Sequence, residues 1–238
     1  MKYNNYSFTR ETNTYYDQGL RVYMLSIYQN MSMALGISAL VAYIVGSNGQ
    51  IAMMIFSTPL AYVAIFAPLI YIFFFNRKLM DMDRRQAQMH LGIFAAFTGL
   101  SLGSIFLVYT SASIVKTFFI TASTFSAMSI YGHTTRKDLT SLGSFAYMGL
   151  IGLVIASLIN IFLRSAALDF AVSFIGVGIF TILTAYDTQK LKSIYYAMNG
   201  NTLRAGNIAI YGALTLYLDF INLFIMMLHF FGIRRSDD

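Results

Sequence analysis

The chain contains no cysteine, only two prolines, and charged residues at just 11% of its 238 positions. Each scarcity excludes something. Without cysteine there are no disulfides, no thiolate metal ligands and no cysteine nucleophile. With so few charges against 57% hydrophobic residues and a mean hydropathy of +0.62, the chain lacks the polar surface that coats a soluble globule. The composition is that of a polytopic membrane protein. Its apolar runs are about 20 residues long rather than alternating ten-residue segments, which selects helices over an outer-membrane barrel. Only Pro59 and Pro68 stand ready to interrupt them, both in the second run.

Seven spans emerge: about Val22 to Gly46, Ile51 to Phe75, Leu91 to Tyr109, Ser113 to Tyr131, Phe145 to Leu163, Ala167 to Tyr186 and Ile208 to Ile233. The expected division is a polar N-terminal tail over 1–21, a single seven-helix transmembrane domain over 22–233 and a short C-terminal tail over 234–238. The third and fourth spans read as a close antiparallel pair, and the Gly99/Gly103 spacing invites close approach of another helix. Thr188 to Arg204 reads as a polar linker before the last span. Lys and Arg number twelve in the N-terminal tail and the second, fourth and sixth loops, against four elsewhere. That bias places the N-terminus in the cytoplasm and, with an odd number of spans, the C-terminus outside; a re-entrant last segment would instead return the basic C-terminal tail to the cytoplasm. The net charge of +6 is therefore an orienting charge, and nucleic-acid binding is not expected.

The stretch Leu214 to Gly232 organises the rest. Within it Thr215, Asp219, Asn222, Met226 and His229 recur at spacings of four and three, so they form one stripe of a helix. A carboxylate at membrane depth costs roughly 2.5 to 3.5 kcal/mol unless it faces protein, water or a partner, so Asp219 is expected to point inward. The other acid singled out is Asp187, at the cytoplasmic end of the sixth span. If Leu214 lies near the cytoplasmic edge, Asp219 is only about 8 Å deeper, and the two carboxylates can share a site. At a separation of about 5 Å and an effective dielectric of about 20 they repel by about 3 kcal/mol, so the pair competes for a single proton. Deprotonated, it offers hard oxygen ligands to a cation such as Ca²⁺. The competing reading has each aspartate bonded to a neighbouring helix, with Asp187 paired to Lys190 or Lys192. Arg77, at the end of the second span, is a candidate latch for the pair or a snorkelling anchor. Thr215, Asn222 and His229 are candidate pore-lining groups; the bland roles are helix packing for Asn222 and an interfacial anchor for His229.

The run Leu216-Tyr217-Leu218-Asp219-Phe220-Ile221-Asn222-Leu223-Phe224, the segment Thr184-Ala185-Tyr186-Asp187-Thr188-Gln189 and the loop Arg136-Lys137-Asp138-Leu139 together resemble the Bax inhibitor-1 family, and the loop and short tail are similar to its bacterial members. The resemblance implies a seven-helix bundle with the last helix at its centre, wrapped by the other six. It implies a pH-sensitive calcium leak with Asp187 and Asp219 as the proton-sensing dyad and transient Ca²⁺ site, and Arg77 similar in position to a latch arginine. An acid that some members carry in the second span is missing between Ile51 and Phe75.

The leading expectation is thus a proton-gated Ca²⁺ leak in a bacterial inner membrane, with no tightly bound cofactor and with protons, Ca²⁺ and the lipid bilayer as its partners. The alternative is a non-transporting regulator that binds a quality-control protease, cell-death machinery or another membrane protein. An intramembrane aspartyl protease also places two acids in the membrane, but its Gly-x-Gly-Asp and Pro-Ala-Leu elements are absent here, so an enzyme is not expected.

Overall fold

The computed structural model describes residues 4–198 and 202–235, with side chains from Gln18 to Met198 and from Gly206 to Arg235. The side chains of Lys2, Arg10 and Arg204 in the charge count, and residues 236–238 of the C-terminal tail, lie outside the described residues. Among the described residues nine helices follow in order: α1 (Asn4–Ser47), α2 (Gly49–Phe56), α3 (Leu60–Lys78), α4 (Arg84–Leu102), α5 (Ile105–Val108), α6 (Ser111–Thr134), α7 (Thr140–Leu163), α8 (Ala166–Ala197) and α9 (Thr202–Phe231). Seven of the segments so built are long and apolar enough to cross a membrane, and the bundle is all-α, with one isolated bridge, Tyr109 to Arg234, as its extended pairing among the described residues.

The last helix is the centre, as the family resemblance implies. In its most apolar window 67% of α9 is buried, against 39% for α1 and 11% for α3 and α7. Four helices wrap it rather than six: α9 packs on α8, α1, α6 and α4, while α3 leans on α4 and α7 on α8 from outside. Crossings are made close by small residues, as expected where no hydrophobic driving force separates helix from lipid. A Cβ on Gly99 would stand 2.5 Å from the Ser38 carbonyl of α1, one on Gly103 would press on Val45, and one on Gly132 would strike the Ala185 backbone of α8.

Those contacts correct the pairing inferred from chain order. The small-residue face of α4 is spent on α1, and α6 turns instead to α8 and α9, so α4 and α6 do not pack along their lengths. Two boundaries also move. The second run breaks in two at Ser57–Pro59, where Pro59 has no N–H to continue the ladder and the Thr58 hydroxyl bonds back to the Met54 carbonyl at 2.9 Å. The presumed linker after the sixth span is largely helix: α8 continues through Thr188 to Ala197, because its polar residues find partners on adjoining elements.

Among the described residues, the turns between α3 and α4 and between α6 and α7 lie with the end of α8 at one end of the bundle, and the turns before α6 and before α8 at the other. Arg21, Lys78, Arg84, Arg136, Lys137 and Lys192 gather at what is here called the basic end.

Candidate functional site

Asp187 and Asp219 come from the two most intimately packed helices and meet inside the bundle. Asp187 is 2% exposed and Asp219 6%. The two carboxyl groups are close enough to act on each other electrostatically, and a hydrogen bond between two acids would need one proton for the pair. The Asp219 Oδ2 is buried with no hydrogen-bond partner among the described residues. Asp219 sits 13 residues from Gly206 and 12 from Phe231, about 20 and 18 Å from the two ends of its span. That is deeper than the 8 Å inferred from the sequence, because the helix begins well before Leu214.

The other carboxyl is held from outside. Tyr147 of α7 donates its hydroxyl to both oxygens of Asp187, at 3.2 and 3.1 Å, while its ring packs edge-on against Tyr186 at 6.0 Å. Neither lysine pairs with Asp187: Lys192 donates to the His133 carbonyl at 2.9 Å, and Lys190 lies over the Tyr186 ring. The sequence reading had missed Tyr147.

Neighbouring residues of the same motifs set the frame. Gln189 receives the Leu139 N–H at 2.9 Å and donates to the Lys137 carbonyl at 2.8 Å, stapling the Arg136–Leu139 loop to α8 and so fixing where α7 begins. Within that loop Asp138 accepts from the Thr140 hydroxyl at 2.6 Å and from its backbone N–H at 2.9 Å. These bonds hold the Asp138 carboxyl below its ordinary range. Thr188 meets Ser129 of α6 at 3.1 Å, and Ser129 meets Tyr28 of α1 at 2.6 Å. On the far side of α9, the fully buried Tyr217 bonds Ser38 at 2.6 Å, and Ser38 donates to the Ala95 carbonyl at 2.8 Å, tying α9, α1 and α4 together.

The remaining residues singled out from the sequence are not gathered at the pair. Arg77 is exposed at the end of α3, a helix that packs on α4 and α2 and not on α8 or α9, and it forms no ion pair with either aspartate. Thr215 and Asn222 are half-buried and return their polar groups to their own helix, bonding the carbonyls of Tyr211 at 3.1 Å and Leu218 at 2.8 Å. His229 lies at the end opposite the basic one, stacked on Tyr109 at 6.2 Å and 3.8 Å from Asp169. Asp169, in the first turn of α8, was overlooked as an acid at the end of a span; it also lies 3.7 Å from Arg234. Burial pushes the Tyr109 phenol above its ordinary value, and Arg234 pulls it down. Backbone bonds from Thr110 to Ile233 and from Arg235 to Val108 close this end of the molecule.

A seven-span helical bundle with a buried acid pair between its sixth and last spans is the class that fold and site define. The chain matches the family described as "Inhibitor of apoptosis-promoting Bax1" over residues 20–236 and belongs to that family, the Bax inhibitor-1 family. An uncharacterized protein of Rickettsia prowazekii is 46% identical over 228 residues, spanning 96% of both chains. The inner membrane protein YbhL of Escherichia coli is 43% identical over 219 residues, spanning 91% of this chain and 94% of its own. A Borreliella burgdorferi protein is 42% identical over 216 residues, spanning 90% and 93%.

Proposed function

We propose that the protein is a proton-sensitive leak for Ca²⁺, with Asp187 and Asp219 as its gate. The observation that carries this reading is two buried carboxyl groups close enough to act on each other at membrane depth, with one oxygen, Asp219 Oδ2, left without a hydrogen-bond partner among the described residues. With one proton between them the acids bond and hold α8 to α9. Without it the pair is two like charges in a medium of low dielectric, and the same oxygens attract a divalent cation. Two carboxylates and a phenol supply fewer than the six to eight oxygens that Ca²⁺ usually takes, so an ion passing here keeps part of its water, as suits cargo in transit. The site does no covalent chemistry in this reading, and no resident cofactor takes part.

The basic end faces the cytoplasm by the positive-inside bias, and a bacterial inner membrane is the setting that the name of YbhL supports. Protein reconstituted into liposomes is expected to release trapped Ca²⁺ with a dependence on pH that Asp219→Asn flattens. An unchanged pH profile in that variant removes the mechanism. Absence of flux at every pH, with recovery of a stable membrane partner by crosslinking, would favour the non-transporting regulator instead.

A further inference from the structure

α1 and α6 both flank α9 and meet through the Tyr28–Ser129 bond rather than packing along their lengths. Between them lies a cleft of about 760 Å³, floored by Phe220 of α9 and open at the side of the bundle. Its volume is within the range of roughly 300–1,000 Å³ that accommodates small ligands, and no part of the acid pair lines it.

The lining is graded along its length. Arg21 and His133 stand at the basic end, and Lys192, outside the lining itself, donates to the His133 carbonyl. Next come the Tyr28 and Ser129 hydroxyls, joined at 2.6 Å. Beyond them, apart from Ser32 and Ser126, the walls are apolar: Met31 and Leu35 on α1, Phe118, Ala122 and Phe125 on α6. Among the described residues no aspartate or glutamate lines the cleft. From Arg21 to Leu35 is 14 residues, about 21 Å of helix. One leaflet with its headgroup zone measures about the same, half of a bilayer of about 40–45 Å.

We propose that this cleft is a binding site for one anionic glycerophospholipid from the surrounding bilayer, its phosphate at Arg21 and its acyl chain against Phe118, Ala122 and Phe125. Cations set between membrane helices at the headgroup level are the chemistry that holds anionic lipid heads. A water-filled vestibule would call for polar walls along its depth, where these are mostly aromatic and aliphatic, with Ser32 and Ser126 as the deeper polar groups. The Tyr28–Ser129 bond and its continuation to Thr188 form the shoulder on which the glycerol ester region rests.

The test is native mass spectrometry of the full-length protein released from nanodiscs of equal parts phosphatidylglycerol and phosphatidylethanolamine. The wild type is expected to retain one lipid with phosphatidylglycerol preferred. Arg21→Gln should reduce that preference about fivefold, the effect of one cation near the surface, while Ala122→Trp should fill the cleft and abolish retention. Ile151→Trp, on the exposed face of α7, should leave retention unchanged. A circular-dichroism melt of each variant confirms that it is folded. Retention that is the same in folded Ala122→Trp as in the wild type, or no preference for the anionic lipid, would overturn the proposal.

Discussion

The Tyr147 hydroxyl donates to both oxygens of a carboxyl group that is otherwise enclosed by α8 and α9. Removing a donor from a buried acceptor costs more than the bond contributes, about 1–3 kcal/mol, so Tyr147→Phe is expected to melt at a lower temperature than the wild type at pH 7. Asp187→Asn in the same chain should absorb much of that loss, a coupling that a double-mutant cycle of thermal melts would read. Asp138 offers a contrast at the surface. Its bonds to Thr140 hold its folded pKa below the unfolded value of about 4, so its stabilising effect is present above that value and fades as the pH falls through the lower, folded one. Asp138→Ala should therefore melt below the wild type at pH 7, and the two curves should converge under acid conditions below about pH 4. The aspartates were legible in the sequence because an acid in an apolar run is expensive. Tyr147 and Tyr217 were not: a phenol is common in membrane helices and its hydroxyl's partner depends on which helix lies opposite.

Helix positions followed from apolar run length, but helix neighbours did not. Adjacent runs were read as a pair, yet α4 spends its glycine face on α1 and α6 spends Gly132 on α8. The same fact explains Arg77. Its place at the end of a span was plain, whereas its distance from the acids is set by α3 lying outside α4, which no local pattern announces. Gly132 gives the element-scale prediction. Any Cβ there strikes the Ala185 backbone, so Gly132→Val forces α6 off α8 and should destabilise the bundle by about 1–3 kcal/mol. Gly152→Val, where nothing lies within 4 Å, should melt close to the wild type. If both variants melt alike, the close crossing of α6 and α8 is not a determinant of stability.

Across the whole molecule, the arrangement follows from burying the last helix and its acid first. α9 is enclosed by α1, α4, α6 and α8, and the outer helices α3 and α7 present mostly lipid-facing surface. One of them nevertheless reaches the centre, since Tyr147 of α7 touches the pair from the periphery. The basic end and the closed end, where Arg234 and Asp169 meet, bracket the acids from opposite sides, so a motion of α9 against α8 is felt at both. The account stands or falls on whether Asp187 and Asp219 act as one unit. The most direct measurement is Ca²⁺ efflux from liposomes across a pH series for the wild type, Asp187→Asn, Asp219→Asn and the double variant. A shared proton predicts a pH-dependent wild type, the same flat profile in either single variant, and no further change in the double variant. Wild-type pH dependence in either single variant, or independent and additive effects of the two, would contradict it.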